Sequence, residues 1–231
     1  MKTLITSGCS YTSYNYKTWA DYLGENYDKH LNLGKAGSGP RYSHNKICDF
    51  LRFDYNKDHE YTFIIQWSSL IRVDFRKNDS NKISTLDKWS LGGQINNNDN
   101  FNQAYIKKYF NIIDRASDLL MFIEHIILLS KHYNFKLYML YMFEPWLGNL
   151  LGEPCGIGSL TKHFKSFNKS KYKKELEKLY FTDYFIQPSI ETFCCNNEER
   201  DFSIESHPTT NQHKKYADMI VKKYLNNDLL S

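Results

Sequence analysis

Residues at opposite ends of the chain have the types that acyl transfer requires. Ser10 ends a Gly-Cys-Ser segment that directly follows a short apolar run near the N-terminus. Near the other end, Glu205 and His207 precede a proline and a segment with helical spacing. A serine hydroxyl, an imidazole and a carboxylate are the groups that form and break an acyl-serine intermediate. The pattern predicts Ser10 as the nucleophile, His207 as the base and Glu205 as the acid.

The elements that would position these residues alternate between strands and helices. Strands are predicted at residues 4–7, 30–33, 61–67 and 135–141, with a short extended piece at 184–186. Helices are predicted at residues 19–27, 43–53, 105–132, 171–180 and 209–225. This alternation predicts an α/β fold with a parallel sheet that is covered on both faces. The crevice of such a sheet lies at the carboxyl ends of its strands, where the loops starting at Gly8, Gly34 and Gln66 leave.

The length and composition indicate one globular domain. A chain of 231 residues can bury one sizeable core, and its 41% hydrophobic residues are ordinary for a globular protein. We therefore interpret residues 1–231 as a single domain. Residues 76–100 are polar and rich in Asn, Asp and Ser, which predicts a surface excursion or lid. Residues 145–200 are harder to assign to strands or helices of the sheet and are interpreted as a second insertion.

Three short blocks have the order of a known family. They are a strand followed by Gly-Cys-Ser-Tyr-Thr at residues 8–12, a glycine-rich turn at 32–39, and an acid before His-Pro at 205–208. The sequence resembles the SGNH, or GDSL, hydrolases in these blocks, over residues 3–72 and 201–225. The Gly-Cys-Ser-Tyr-Thr variant also resembles hydrolase-like proteins encoded by phages and bacteria. The resemblance implies a flavodoxin-like three-layer α/β/α sandwich with a central parallel sheet.

The resemblance also implies a mechanism. Ser10 would attack an ester carbonyl, His207 would take its proton, and Glu205 would hold the imidazole tautomer. The oxyanion would be met by the backbone N–H groups of Ser10 and Gly37. In the family an Asn side chain is the third donor, and Ser68 falls at that position here. We therefore expect Ser68 to complete the oxyanion hole or another group to replace it.

Two further positions depart from the family pattern. Cys9 stands where the family usually has Asp, and we expect it to pack beneath the turn, because neighbouring side chains at a strand end point in opposite directions. Glu205 stands where the family's acid is usually Asp. Asp201 is the alternative acid, at a less familiar distance from His207.

Residues after the central strand are candidates for substrate binding. Trp67 is predicted either to stack on a sugar or acyl group or to lie in the core. Arg72 is predicted either to bind a carboxylate or phosphate or to be a surface charge. His213, two turns into the last helix, is expected to be exposed to solvent.

The net charge indicates which classes of partner to expect, and the cysteines indicate the redox compartment. The net charge is only +4, and the lysines between residues 162 and 178 are interleaved with glutamates, which favours a solvated helix face over a nucleic-acid site. Five scattered cysteines favour a reducing cytoplasm over a disulfide framework. We expect no membrane or nucleic-acid partner and no cofactor. We also expect no metal, since His44, Asp49 and His59 lack ligand spacing.

The leading function is thus a serine esterase or acyl hydrolase, acting on a small-molecule ester or an O-acyl group of a carbohydrate. One alternative is a non-catalytic relative that binds a glycan or a protein partner. The other is an acyltransferase that uses the same residues with an acceptor other than water.

Overall fold

The chain is a mixed α/β protein. A computed structural model describes residues 1–76, 89–90, 108–144, 166–196 and 207–226. None of the described helices combines the length and the apolar composition needed to cross a bilayer.

A four-stranded, all-parallel sheet forms the centre, with Lys29–Asn32, Lys2–Ser7, Glu60–Trp67 and Lys136–Tyr141 side by side in that order. The strands along the described chain are β1 (Lys2–Ser7), β2 (Lys29–Asn32), β3 (Glu60–Trp67), β4 (Phe75–Arg76), β5 (Trp89–Ser90) and β6 (Lys136–Tyr141). Strands β4 and β5 form a separate antiparallel pair. The apolar run of β3 follows from its central place, because both of its faces are covered.

Six α-helices with fully described bounds accompany the sheet. They are α1 (Trp19–Gly24), α2 (Pro40–Phe53), α3 (Ile112–Tyr133), α4 (Lys171–Tyr180), α5 (Ile190–Asn196) and α6 (Thr210–Ile220), the last continuing as a π-helical turn over Val221–Leu225. Helix α6 begins with a capping box in which Thr209 and Gln212 exchange side-chain to backbone hydrogen bonds.

Hydrophobic residues are buried on both faces of the sheet. Alternate side chains of β3, such as Phe63 and Ile64, enter different clusters because strand side chains alternate between faces. The Phe63 cluster includes apolar residues of α2, α3 and α4. The Ile64 cluster includes residues of α1, α5 and α6. Helices therefore cover both faces, as the alternating pattern predicted.

The predicted elements are confirmed with shifted ends. Helix α1 ends at Gly24, before the predicted residue 27. Helix α3 begins at Ile112, where the Asn111 side chain accepts a hydrogen bond from the Ile113 N–H and caps the helix. Of the residues predicted helical before it, Lys108 is helical and residues 105–107 lie outside the described part of the chain. Most of the 76–100 excursion lies outside the described residues.

The described part of the 145–200 segment joins the sheet. Met139 in β6 donates its N–H to Tyr184 O at 2.7 Å, and Ile186 donates to Met139 O at 2.8 Å. The extended piece predicted at 184–186 thus makes a parallel bridge to β6 through Phe185. Residues 166–196 therefore extend the sheet at its β6 edge and cover it with α4 and α5.

A buried carboxylate fixes helix α5 against the end of β6. Glu144 accepts hydrogen bonds from the hydroxyls of Tyr180, Ser189 and Thr192 at 2.6–2.8 Å, and from the Ser189 N–H at 3.1 Å. Burial raises the pKa of Glu144, but these hydrogen bonds outweigh burial and leave the pKa below its ordinary value. Glu144 therefore remains ionised at neutral pH and holds α5 in place beside the loop that carries Ser10.

Candidate active site

Ser10 and His207 meet at the carboxyl edge of the sheet. Ser10 lies in the loop after β1, and His207 lies just before α6, at a sequence separation of 197 residues. The Ser10 Oγ and the His207 Nε2 are 2.7 Å apart. This is hydrogen-bond distance for a hydroxyl that donates to an unprotonated ring nitrogen. The predicted pairing of Ser10 with His207 is present in the structure.

The loop that carries Ser10 is tied to two neighbouring strands. The Thr12 hydroxyl donates to Gln66 Oε1 of β3 at 2.5 Å. The Thr12 carbonyl accepts from Asn32 Nδ2 of β2 at 2.8 Å and from the Thr18 hydroxyl at 2.7 Å. Gly8 is packed so closely that an added Cβ would overlap Thr12 Oγ1 and lie 2.8 Å from Gln66. The serine is therefore held by rigid elements, as a nucleophile must be.

Tyrosine side chains surround the imidazole of His207. The Tyr14 ring stacks on it at a centroid distance of 4.8 Å and an interplanar angle of 16°. The Tyr11 ring contacts it edge-on at 5.2 Å, and the Tyr11 hydroxyl donates to Glu191 Oε2 at 2.9 Å. The Tyr16 hydroxyl donates to the Pro208 carbonyl at 2.9 Å. These tyrosines were not among the predicted site residues, although all three follow Ser10 within six positions of the sequence.

The glycine-rich turn lies beside the Ser10 loop. The Ser38 hydroxyl and the Lys35 N–H both donate to the Gly8 carbonyl, at 2.8 and 2.9 Å. Gly37 has φ = 82°, in the left-handed region that favours glycine. Within the described part of the chain, the N–H groups of Ser10 and Gly37 donate to no other residue. The two predicted backbone donors are therefore available to a ligand.

Ser68 and Arg72 both contact the glycine turn. The Ser68 hydroxyl donates to the Ser38 carbonyl at 3.1 Å. The Arg72 Nη1 donates to the same carbonyl at 3.2 Å, while its Nε is buried and makes no hydrogen bond within the described part of the chain. The single proton of Ser68 is thus used by the turn in this conformation. Arg72 is partly buried against the turn, whereas a simple surface charge would be fully exposed.

The side chains of Trp67 and Cys9 are buried away from the crevice. Trp67 has 0% exposure and packs in the cluster around Phe63, so stacking on a substrate is excluded in this conformation and the core alternative holds. Cys9 also has 0% exposure, and its Sγ lies 3.6 Å from Met142 Sδ. The expectation that Cys9 packs beneath the turn is confirmed.

His213 is buried behind the Ser10–His207 pair, which corrects the expectation that it is exposed. Its exposed fraction is 1%, because α6 turns this side chain inward toward Tyr11 and Tyr16. The backbone N–H of Trp19 donates to its Nδ1 at 3.3 Å. Burial, aided by the proximity of His207, lowers the pKa of His213 to about 3. The ring is therefore neutral at neutral pH.

The buried neutral His213 should make stability depend on pH. Unfolding raises its pKa from about 3 to the ordinary 6.5, so the unfolded chain binds an extra proton between these values. We expect the free energy of unfolding to fall as pH falls from 6.5, by up to about 1.4 kcal/mol per pH unit for one proton. Replacement by Gln, which keeps an acceptor for the Trp19 N–H, should flatten this slope. Urea unfolding of wild type and of His213→Gln between about pH 4 and 7 measures how the free energy of unfolding depends on pH. Equal slopes would contradict the assignment to His213.

The candidate acids, Glu205 and Asp201, lie outside the described residues. The geometry therefore defines a serine–histidine pair with two available backbone donors. In comparisons with known proteins, no family model and no curated protein matches this chain.

Proposed function

We propose that this protein is a serine esterase or acyl hydrolase of the SGNH type. The observation that carries the proposal is the 2.7 Å distance between Ser10 Oγ and His207 Nε2 at the carboxyl edge of a parallel sheet. This geometry meets the first requirement for an activated serine, namely a nucleophile within hydrogen-bond reach of its base.

The arrangement of the sheet supports the family assignment. The order β2-β1-β3-β6, extended by the bridge of Phe185 to β6, has the strand sequence of a flavodoxin-like sheet. Helices on both faces correspond to a three-layer α/β/α sandwich. The loops after β1, β2 and β3 then supply the nucleophile, the glycine turn and the segment with Ser68 and Arg72, in the order of the family's blocks.

The proposed reaction proceeds through an acyl-enzyme. Ser10 Oγ attacks the ester carbonyl while His207 Nε2 takes the hydroxyl proton, and the negative charge develops on the carbonyl oxygen. The N–H groups of Ser10 and Gly37 donate to that oxygen. The C–O bond to the alcohol then breaks, and His207 returns the proton to the leaving oxygen. Water, deprotonated by His207, releases the acid and restores Ser10.

His207 must become positively charged during this reaction. A charged neighbour would oppose that step, and the low pKa of His213, about 3, keeps it neutral. In our proposal Glu205 stabilises the imidazolium and fixes its tautomer, with Asp201 as the alternative acid. The stacked Tyr14 ring adds a favourable contact, because the face of an aromatic ring attracts a cation.

The proposed substrate is a small-molecule ester or an O-acyl group on a carbohydrate. Tyr14 and Tyr16 are half-buried beside His207 and offer aromatic surface for a sugar or acyl group. Arg72, whose buried Nε makes no hydrogen bond to the described residues, is the candidate that binds a polar group of the substrate. Transfer of the acyl group to an acceptor other than water would use the same acyl-enzyme.

One observation favours the alternative of a non-catalytic binding protein. The Ser68 hydroxyl, at the position of the family's third oxyanion donor, already donates to the Ser38 carbonyl. An oxyanion hole with one donor fewer loses about 10²–10³ in rate. Two backbone donors still leave substantial stabilisation, and hydrolysis remains the function that the pair supports best.

Ester hydrolysis by wild-type protein and a His207→Ala variant tests the proposed function. The substrates are p-nitrophenyl esters of increasing acyl length and O-acetylated sugars, and the readout is released alcohol or acetate. We expect His207→Ala to lower kcat/KM by at least about 10³-fold, because the general base is lost. His132→Ala, an exposed histidine on α3, is the control and should retain full activity. Equal rates in all three proteins, or no turnover by folded wild type, would refute the proposal.

A further inference from the structure

A cluster of metal-ligating side chains lies between helices α2 and α3. His44 and Cys48 are one helical turn apart on α2 and so share a face. His125 on α3 faces them. The potential ligand atoms of the three residues all lie within 4.8 Å of one another. Both helices contribute to the cluster around Phe63, whereas α6, which follows His207, packs on the opposite face of the sheet.

The two separations measured from His44 Nε2 are near those of a tetrahedral metal site. Zn²⁺ binds imidazole nitrogen at about 2.0–2.1 Å and thiolate sulfur at about 2.3 Å, which places two such ligands about 3.6 Å apart. The His44 Nε2 lies 3.7 Å from Cys48 Sγ. It lies 2.8 Å from His125 Nδ1, so those two nitrogens would have to separate by about 0.5 Å. His125 is exposed and can make this adjustment.

Neighbouring groups orient the His44 ring for ligation. Its face stacks on Phe122 of α3 at a centroid distance of 4.5 Å and an angle of 24°. Its Nδ1 lies 3.3 Å from Asn45 Oδ1 and can donate a hydrogen bond to it. The lone pair is then on Nε2, the atom that faces Cys48 and His125. A second contact of this kind on the non-ligating nitrogen is typical of metal-binding histidines.

We propose that His44, Cys48 and His125 form a binding site for Zn²⁺ that links α2 to α3. One thiolate and two imidazoles are the ligand types that Zn²⁺ prefers, and the fourth position is open to water or a further ligand. Binding would release the thiol proton of Cys48 to solvent. The site is independent of the proposed hydrolase chemistry. Sequence spacing does not reveal the site, because His125 is 81 positions from His44.

Titration of the metal-free protein with Zn²⁺ tests the site. We expect one ion per chain by isothermal titration calorimetry, and a higher Tm with saturating Zn²⁺ because the ion binds the folded chain. With Co²⁺ in place of Zn²⁺, we expect the visible absorption of a tetrahedral thiolate–imidazole site. His125→Ala and Cys48→Ala should each weaken Zn²⁺ binding at least about 100-fold, since loss of even an outer partner costs 10–100-fold.

Matched control variants distinguish a specific Zn²⁺ site from nonspecific metal binding. His132→Ala removes an exposed histidine from the same helix, and Cys195→Ala removes a half-buried cysteine of α5; both should bind like wild type. Because His125 is exposed, its variant should fold normally, and its metal-free Tm checks this. Equal affinity in all variants, or the absence of stoichiometric binding in folded wild type, would overturn the proposal. Ester hydrolysis is measured separately and does not enter this result.

Discussion

Replacing Ser10 by Ala should abolish ester hydrolysis and leave the fold intact. In the proposed mechanism this removes the hydroxyl that attacks the ester, so we expect kcat/KM to fall by at least about 10³-fold. What remains would come from the backbone N–H groups of Ser10 and Gly37, which the substitution keeps. The side chain has only 5% exposure and loses a single oxygen atom, so the Tm should change little. The measurements are steady-state kinetics and thermal unfolding.

Ser13→Ala is the control for this prediction. Ser13 is a half-buried serine of the same loop, and its backbone N–H donates to Cys9 O at 3.0 Å whatever its side chain. It should keep wild-type kinetics. Undiminished turnover in Ser10→Ala would show that another residue is the nucleophile, and equal losses in both variants would show that the loop, and not the hydroxyl, matters.

Replacing Gly8 by Ala should damage both stability and activity. The added methyl would overlap Thr12 Oγ1 and approach Gln66 Cβ and Oε1 to 2.8 Å. Neither neighbour moves freely, because the two side chains are hydrogen-bonded to each other at 2.5 Å in a buried site. We expect the free energy of unfolding to fall by about 1–3 kcal/mol, as for other overpacked cores. Displacement of Ser10 by about 1 Å should lower kcat/KM by about 10²-fold.

Urea unfolding and steady-state kinetics measure these two effects. Ala36→Gly, at an exposed position of the neighbouring glycine turn, is the control for a change of backbone flexibility near the site, and we expect it to keep wild-type turnover. Wild-type stability and kinetics in Gly8→Ala would contradict the close packing of the loop beneath Ser10.

Much of the fold followed from local sequence patterns. The apolar run of β3 predicted a central strand because such a strand is covered on both faces. Helix ends were less predictable. Helix α3 begins where Asn111 caps it, and such a cap depends on one side chain, which hydrophobic periodicity does not reveal.

The Ser10–His207 pair was predictable because each residue stands in a short block with a fixed place in the fold. Three other features depend on long-range packing. His213 is buried because α6 packs against α1 and the tyrosines after Ser10, which helical spacing alone does not reveal. The Ser68 hydroxyl is used by the glycine turn, a contact across 30 positions. The His44, Cys48 and His125 cluster requires the register of two helices.

Labelling with a fluorophosphonate probe, read by intact mass, is the most direct test of an activated serine. The probe phosphonylates a serine hydroxyl with loss of fluoride, and the reaction needs a base at the nucleophile. We expect one adduct per wild-type chain, located on Ser10 by peptide mapping, and none in Ser10→Ala or His207→Ala. Absence of labelling in folded wild-type protein, or an adduct that persists in Ser10→Ala, would contradict the assignment of Ser10 and His207 as a catalytic pair.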